Sequence, residues 1–242
     1  MPRLLTYNVH RCVGTDRKLD VQRIAEVIAA ENPDIVCLQE LDVGRARTNG
    51  VDQAHELAKL LGMVSRFHPA MTVEGEQYGD AILTALPDRL IKADSLPTLS
   101  GIPGLEPRGA VWTEVRVGEA KLNLINTHLG LVPNEQRSQT RALKGKDWVG
   151  ACEGPTILCG DFNATSITRP YATLTRDLRD AQRVLGLRPS IKTFPSSFAA
   201  IRIDHYFVSD HIEVKGIYTP NSPLVRVASD HLPLVMDFEI RA

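Results

Sequence analysis

Short apolar runs alternate with amphipathic segments in the first part of the chain. Residues 3–9 are mostly apolar, which predicts a buried strand. In residues 20–31 the apolar positions recur at i, i+3, i+4 and i+7, and Asp20 precedes them as a helix N-cap. A second apolar run covers residues 34–38. We therefore expect a strand, a helix and a strand in succession.

The same two patterns continue to the end of the chain. Helical spacing covers residues 52–61, 133–149 and 170–187, with Gly62 closing the first of these segments. Strand patterns cover residues 79–86, 90–93, 109–117, 121–129, 156–158, 201–209, 212–218 and 232–240. A hairpin turn is predicted at Gly118-Glu119-Ala120. Residues 62–78 and the Pro/Gly-rich residues 95–107 are predicted to be loops that shape a substrate site.

Helical and strand patterns alternate without a linker, a low-complexity tract or a change in composition. This alternation indicates the α/β class, and we expect a single domain over residues 1–242. Each half of the chain contains a strand, a helix and a strand that ends in an acid. Two similar halves are therefore one interpretation of the pattern.

The composition, with 43% hydrophobic and 24% charged residues, is that of an ordinary globular protein. No apolar run approaches the ~20 residues of a membrane-spanning helix, and the start of the chain becomes polar too early for a signal peptide. We expect a cytoplasmic protein with no stable membrane insertion, or a mature form without its leader. The net charge of -1 provides no overall basic field, so a phosphate-rich partner would need a local patch.

The four cysteines, at positions 12, 37, 152 and 159, form no C-x-x-C pair. Cys37 and Cys159 lie inside apolar runs and are expected to be small buried hydrophobic residues. A disulfide framework or a structural zinc site is not expected.

Polar side chains with catalytic potential stand at the ends of six strand-like runs. They are Asn8, Glu40, His128, Asp161 with Asn163, Asp204, and Asp230 with His231. Any one of them has an ordinary explanation as a strand-end cap or a turn residue. Six segments that each contribute such a residue predict a shared polar cleft, provided that the strands run in the right directions.

The chemistry of this set suits the hydrolysis of a phosphate ester. Carboxylate and amide oxygens are the ligands that Mg²⁺ or Mn²⁺ prefers. Histidines beside such an ion can donate hydrogen bonds to phosphate oxygens. A buried carboxylate such as Asp204 would orient the ring of His231 and raise its basicity. A serine-hydrolase triad at Ser229-Asp230-His231 is excluded, because neighbouring side chains of an extended chain point to opposite faces.

Seven motifs occur in an order that resembles the endonuclease/exonuclease/phosphatase superfamily. They are Tyr-Asn-Val-His, Leu-Gln-Glu, Glu-Pro-Arg-Gly-Ala, Asn-Thr-His-Leu, Gly-Asp-Phe-Asn, Arg-Ile-Asp-His and Ser-Asp-His-Leu-Pro. The resemblance covers residues 3–240. The superfamily includes exonuclease III-like nucleases, DNase I and sphingomyelinases. This chain is most similar to small bacterial members whose substrates are undefined. It implies a four-layer α/β sandwich, in which two packed, mostly antiparallel β-sheets are flanked by helices.

The resemblance also implies a site for Mg²⁺ or Mn²⁺. Glu40 would be the main metal ligand, Asn8 would lie beside it, and Asp230 would lie next to the ion. Two positions depart from the pattern of many members, namely His10 and Asp80. Both could tune the metal or substrate site, and direct ligation by His10 is a minor possibility.

The catalytic roles follow from the same resemblance. Asp161 would orient or deprotonate the attacking water, and Asn163 would hold a phosphate oxygen or help to position that water. His231, oriented by Asp204, would contact the scissile phosphate. The substrate-binding set comprises Arg108, Asn163 and His128.

These residues predict a divalent-metal-dependent phosphoesterase that cleaves a phosphodiester. The expected partner is a phosphate ester, with DNA as one candidate, and the expected state is a monomer. One alternative is a phosphodiesterase or phosphatase for phospholipids or small molecules, and another is a non-catalytic binding module of the same fold.

A nuclease should present cations along the rim of the cleft. The candidates are Arg45, Arg47, Arg66, Arg137, Arg141, Lys144, Lys146 and Arg169, each of which could equally belong to a solvated surface.

Overall fold

The structure is a computed structural model that describes residues 1–99 and 104–241. Twelve strands lie within these ranges: β1 (Arg3–Asn8), β2 (Ile35–Val43), β3 (Val64–Val73), β4 (Glu76–Thr84), β5 (Asp88–Ser95), β6 (Gly109–Val117), β7 (Ala120–His128), β8 (Thr156–Asp161), β9 (Arg179–Asp180), β10 (Asp204–Val208), β11 (Ile212–Tyr218) and β12 (Leu234–Ile240). The helices of the same ranges are α1 (Val21–Ala30), α2 (Gln53–Leu61), α3 (Pro133–Lys144), α4 (Arg169–Leu174), α5 (Ala181–Val184) and α6 (Pro223–Ala228), with short 3₁₀ turns between them.

The strands form two six-stranded sheets that pack face to face. The first sheet has the order β11-β12-β1-β2-β4-β3 and the second has the order β5-β6-β7-β8-β10-β9. Only the pairs β1–β2 and β7–β8 are parallel in the described chain, so both sheets are mixed and mostly antiparallel. Apolar side chains of the two sheets, such as Ile35 and Ile157, meet in one buried cluster.

Helices cover the outer face of each sheet. Side chains of α1, α2 and α6 pack on the first sheet, and side chains of α3 and α4 pack on the second. The layers therefore run helix, sheet, sheet, helix, and the predicted DNase I-like sandwich is confirmed. No helix of the described residues has the length and apolarity needed to cross a membrane.

The strand orders reveal two similar halves. The succession β1-α1-β2-α2-β3-β4 is repeated as β7-α3-β8-α4-β9-β10, and the pair β5-β6 corresponds to β11-β12. The pair β5-β6 of the first half joins the second sheet next to β7. The pair β11-β12 of the second half joins the first sheet next to β1. The repeat that the sequence pattern suggested is therefore present in the topology.

The directions of the strands bring the polar strand ends together. The parallel pairing of β1 with β2 ends at Asn8 and Gln39, next to Glu40, and β7 and β8 end at His128 and Asp161. Strand β10 runs antiparallel to β8, and its first residue, Asp204, lies opposite Asp161. Strand β12 runs antiparallel to β1, so the residues before it also reach this edge.

Local signals in the sequence fixed several element boundaries. Asp20 caps α1 by accepting a hydrogen bond from the backbone N–H of Arg23. Gly62 ends α2 in the left-handed conformation. Strands β6 and β7 pair up to Val117 and Ala120, so Gly118 and Glu119 form a two-residue hairpin loop. Cys37 and Cys159 are fully buried, as expected.

The prediction that residues 62–78 form a loop is wrong. Strands β3 and β4 form a hairpin there, and β3 lies at the edge of the first sheet. Only one face of an edge strand needs to be apolar, and Pro69 is tolerated at a register shift on such a strand. The loop predicted over 95–107 begins where β5 ends, and its residues 100–103 lie outside the described part of the chain.

The helix predicted over residues 170–187 is also wrong as a single element. It is divided into α4, the short strand β9 and α5. Asp180 causes the break, because its buried carboxylate binds the guanidinium of Arg202 and accepts the backbone N–H of Gln182 to cap α5. The helix predicted over residues 133–149 ends at Lys144, and Gly145 follows in an extended conformation.

Candidate active site

Asp161 is the centre of the polar cleft. Its Oδ2 accepts a hydrogen bond from Asn8 Nδ2 at 3.0 Å. The same oxygen lies 3.5 Å from His128 Nε2 and 3.6 Å from His231 Nε2. Side chains from three other strand ends thus converge on one buried carboxylate oxygen.

Gly160 allows Asp161 to reach this position. Its φ is +133°, and a Cβ at this residue would lie 1.9 Å from the carbonyl oxygen of Thr127. Any side chain would therefore push β8 away from β7 at the edge of the cleft. This close approach explains the glycine of the Gly-Asp-Phe-Asn motif.

Asn163 adopts the left-handed conformation, with φ of 47°. Its backbone N–H donates to Asp161 Oδ1 at 2.9 Å, and its Nδ2 donates to the Leu129 carbonyl at 2.9 Å. Gln136 Nε2 of α3 donates to the Asn163 carbonyl at 2.8 Å. A non-glycine residue in this region costs free energy, and such costs are concentrated at functional sites.

Glu40 is held in a similar conformation on the other sheet, with φ of 62°. It lies at a register shift in β2, between Leu38 and Leu41. Its Oε1 accepts from the same Asn8 Nδ2 that binds Asp161, at 3.0 Å. One amide nitrogen therefore joins the two carboxylates across the junction of the sheets.

His231 is oriented by Asp204, as expected. Nδ1 of the ring lies 3.0 Å from Asp204 Oδ2, and the hydroxyl of Thr193 donates to the same oxygen. Burial lowers the pKa of His231, but the carboxylates of Asp204 and Asp161 outweigh this effect and raise the pKa to about 10. The ring is therefore a cation near neutral pH. Burial also raises the pKa of Asp161, which His231 opposes.

His128 has the opposite electrostatic character. Burial, Arg108 and His231 together hold its pKa well below the ordinary value, so the ring is neutral. Nη1 of Arg108 lies 3.2 Å from His128 Nδ1. Nε2 of the ring lies 3.0 Å from the amide nitrogen of Asn163 and 3.5 Å from Asp161 Oδ2.

The remaining predicted residues lie near this centre with different surroundings. Asp230 is half-buried, and its Oδ1 lies 3.3 Å from the Ser229 hydroxyl, which donates to the Asn8 carbonyl at 2.8 Å. His10 is directed into its own loop, where Nδ1 lies 3.1 Å from the Val13 carbonyl. Asp80 is buried on β4, and burial raises its pKa to about 8 while Arg108 opposes the rise.

The donor set fits a hard divalent cation. Glu40 Oε1 and Asp161 Oδ2 each lie 3.0 Å from Asn8 Nδ2, and the buried carboxyl group of Asp80 has a pKa that both of them raise. A cation bound beside these carboxyl groups would offset the repulsion between them. A second cluster, formed by Asp161, Asp204 and His231, has potential ligand atoms within 4.8 Å of one another. Its spacing is explained by the hydrogen bond between His231 and Asp204.

Several supporting residues were not among the sequence candidates. Thr193 holds Asp204, Ser229 holds the backbone of Asn8, and Gln136 holds the turn at Asn163. Asn126 Nδ2 donates to the carbonyls of Leu38 and Ala81, beside the register shift that carries Glu40. A polar residue inside an apolar strand run was the only signal for Asn126, and that signal does not reveal the partner.

The predicted rim cations separate into two groups. Arg45 and Arg47 pair with Asp42, and Arg66 pairs with Asp88, so these three have structural partners. The other group, on α3 and at the start of α4, lines one groove together with Arg176. It comprises Arg137, Arg141, Lys144 and Arg169. The eighth candidate, Lys146, is exposed after the end of α3 and belongs to neither group.

Comparison with known proteins gives a consistent result. The model of the Endonuclease/Exonuclease/phosphatase family matches residues 5–231. No curated protein gives a significant match. Among solved structures, an endonuclease/exonuclease/phosphatase from Beutenbergia cavernae is 24% identical with a TM-score of 0.76, and the match covers 100% of this chain and 72% of that one.

Two further structures carry more specific names. A mannosyl-6-phosphatase from Bacteroides thetaiotaomicron is 20% identical, with a TM-score of 0.74 and coverage of 99% of this chain and 100% of that one. The catalytic domain of human Nocturnin, with a bound sulfate, is 21% identical, with a TM-score of 0.69 and coverage of 99% and 94%. At these identities the similarity shows a shared fold.

Proposed function

We propose that this chain, which belongs to the endonuclease/exonuclease/phosphatase family, is a Mg²⁺- or Mn²⁺-dependent enzyme that hydrolyses a phosphodiester. The observation that carries this proposal is the convergence of Asn8, His128 and His231 on Asp161 Oδ2. All residues of this arrangement come from one chain, so we propose that a monomer is active.

Asp161 is the proposed base. Burial raises the pKa of its carboxyl group, and a base is most effective when its pKa is near the working pH. In the proposed reaction, water attacks phosphorus, its proton passes to Asp161, and the bond from phosphorus to the leaving oxygen breaks. Asn163, fixed by Gln136 and Leu129, would keep water or a phosphate oxygen beside this carboxylate.

The two histidines would stabilise the negative charge that develops on phosphate. His231 carries a proton because Asp204 and Asp161 raise its pKa, so it can donate a hydrogen bond or a proton to oxygen. The neutral ring of His128 would bind the same phosphate group, with Arg108 behind it. Glu40 and Asn8, with Asp230 nearby, would hold the cation. When bound, a divalent ion polarises phosphoryl oxygen and lowers the pKa of bound water.

The Asp161→Asn substitution tests the proposal. It keeps the shape of the side chain and removes the base, so we expect turnover of bis(p-nitrophenyl) phosphate with Mn²⁺ to fall at least ~100-fold. The control is Asp147→Asn, the same change at an exposed residue, and it should retain activity. Equal thermal unfolding temperatures would verify that both variants are folded. Unchanged turnover in Asp161→Asn would refute the assignment.

Exposed apolar side chains near the cleft favour a second candidate function. Leu131, Ile167 and Phe198 are 71%, 93% and 70% exposed. They lie on the loops that follow His128, Asn163 and Phe194, and the ring of Phe194 lies 4.9 Å from that of His231. Such residues could contact the apolar part of a phospholipid.

A substrate panel separates the candidate functions. It comprises bis(p-nitrophenyl) phosphate, plasmid DNA, abasic DNA, RNA, a sugar phosphate and phospholipid vesicles, each with the Asp161→Asn control. Cleavage of vesicle lipid alone would favour the lipid function. Absence of turnover with every substrate would favour a non-catalytic binding module.

A further inference from the structure

A strongly basic groove lies between α3 and α4. Its walls carry five cationic side chains together with the small residues Ala172 and Thr173, and its volume is about 540 Å³. We call it the basic groove, defined by Arg137, Arg141, Lys144, Arg169 and Arg176. None of these residues belongs to the active site described above.

The spacing of the cations places them in two facing rows. Arg137, Arg141 and Lys144 stand at i, i+4 and i+7, which is one face of α3. Arg169 begins α4, and Arg176 follows the end of that helix. Seven helical residues span about 10 Å, so the row on α3 presents its charges over that length.

Few acids neutralise the basic groove. Lys144 Nζ lies 2.9 Å from Asp177 Oδ2. Arg141, Arg169 and Arg176 are exposed and form no ion pair within residues 1–99 and 104–241. The guanidinium of Arg137 donates to the amide oxygen of Asn134, and no acid of the described chain pairs with it. Like charges in proximity are destabilising, and their concentration in a protein of net charge -1 indicates an anionic ligand.

The basic groove adjoins the active site through α3. Gln136, the neighbour of Arg137, donates to the carbonyls of Gly130 and Asn163 at 2.9 and 2.8 Å. Arg169 lies at the end of the loop that starts at Asn163. Helix α3 therefore carries one wall of the basic groove and also holds the turn of the proposed phosphate-binding amide.

We propose that the basic groove binds the phosphate backbone of a nucleic-acid strand that continues away from the cleaved phosphodiester. This inference rests on the proposed function and adds a substrate class to it. The guanidinium of an arginine can donate two parallel hydrogen bonds to the oxygens of one phosphate. Five cations could therefore bind several successive phosphates of a strand. A single phosphomonoester would not use five charges.

The shape of the basic groove favours a strand over a membrane surface. Its cations line a recess, which a thin backbone can enter and a flat bilayer cannot. It is lined by no aromatic side chain among the described residues, so it would contact phosphates and not bases. Binding should therefore depend on salt and little on sequence.

The test uses the double variant Arg141→Glu/Arg169→Glu in the full chain. A fluorescent single-stranded 20-mer is titrated in EDTA, which prevents cleavage, and the anisotropy is measured at several salt concentrations. We expect the dissociation constant to rise at least ~10-fold. Loss of two phosphate contacts should make the slope of the logarithm of the association constant against the logarithm of the salt concentration shallower by about 1.4. Turnover of bis(p-nitrophenyl) phosphate should stay unchanged.

The control is Arg89→Glu/Arg116→Glu, which makes the same change in net charge at exposed positions near the Val117 end of β6, away from the cleft. Equal weakening in both double variants, or no weakening in the basic-groove variant, would overturn the inference. So would weaker binding to anionic phospholipid vesicles with unchanged binding to the 20-mer. If the wild type fails to cleave bis(p-nitrophenyl) phosphate while the 20-mer results hold, the proposed function fails and the basic groove remains.

Discussion

At the scale of single residues, the cleft gives two histidines opposite electrostatic states. His231 lies between two carboxylates and its pKa is raised to about 10. His128 faces a guanidinium and its pKa is strongly lowered. One ring is therefore a cation and the other is neutral near pH 7. Environments that separate the pKa values of like groups are typical of catalytic sites.

The raised pKa of His231 predicts a pH-dependent contribution to stability. The contribution is fully present below the ordinary value of 6.5 and is lost as the pH rises through about 10. In His231→Gln this contribution is absent at all pH values. The difference in unfolding free energy between wild type and variant should therefore shrink from pH 6 to pH 10. Urea unfolding in EDTA measures it, and a difference that does not change with pH would contradict the prediction.

At the scale of elements, the active conformation of β2 depends on a side chain from the other sheet. The register shift between Leu38 and Leu41 carries Glu40. Asn126 of β7 binds the carbonyls of Leu38 and Ala81 at 2.8 and 2.9 Å. Its Oδ1 accepts from Gln39 Nε2 at 2.7 Å. A buried polar contact thus joins the two sheets directly behind the metal-binding strand end.

The Asn126→Ala substitution should affect both stability and activity. It removes the hydrogen bonds that Asn126 donates to the buried carbonyls of Leu38 and Ala81 and the one that it accepts from Gln39, at a cost of about 2–4 kcal/mol. It also releases the segment that positions Glu40, so kcat should fall as well.

The control, Asn123→Ala, lies on the same strand away from the cleft and removes hydrogen bonds to Trp112 and Glu153. It should lower stability and leave kcat unchanged. Urea unfolding and turnover are measured for both variants, and an equal loss of kcat would contradict the positional role of Asn126.

At the scale of the whole molecule, the site is built at the junction of two similar halves. Asn8, Glu40 and His231 come from the first sheet, and His128, Asp161 and Asp204 come from the second. The carboxylates of Glu40 and Asp161 meet across this junction through Asn8. A cation bound there would hold the two sheets together as well as serve the reaction.

Divalent ions should therefore stabilise the fold. An ion at 100 times its dissociation constant adds about 2.7 kcal/mol to the unfolding free energy. We expect Mn²⁺ to raise the thermal unfolding temperature of the wild type, EDTA to reverse the effect, and Glu40→Gln to lose most of it. Glu119→Gln, at an exposed residue of the β6–β7 loop, is the control. An equal shift in Glu40→Gln would exclude Glu40 as a ligand.

The sequence by itself determined the elements whose signals are local. The N-cap Asp20, the left-handed Gly62 and the hairpin at Gly118 act within a few residues. The apolar runs determined the buried strands, because burial on both faces requires apolar residues throughout. The order of the motifs was sufficient to name the family and the polar strand ends.

Only the tertiary structure decided the features that depend on distant residues. The edge strand β3 forms because β4 pairs with it, and residues 170–187 break because Asp180 binds Arg202. The protonation states of His231 and His128 also depend on neighbours far along the chain. So does the division of the surface arginines into those with acidic partners and those that line the basic groove. The physical reason is the same in each case: hydrogen bonds and Coulomb interactions act through space, and their partners are set by packing, whereas local patterns record only the conformation of the chain around each residue.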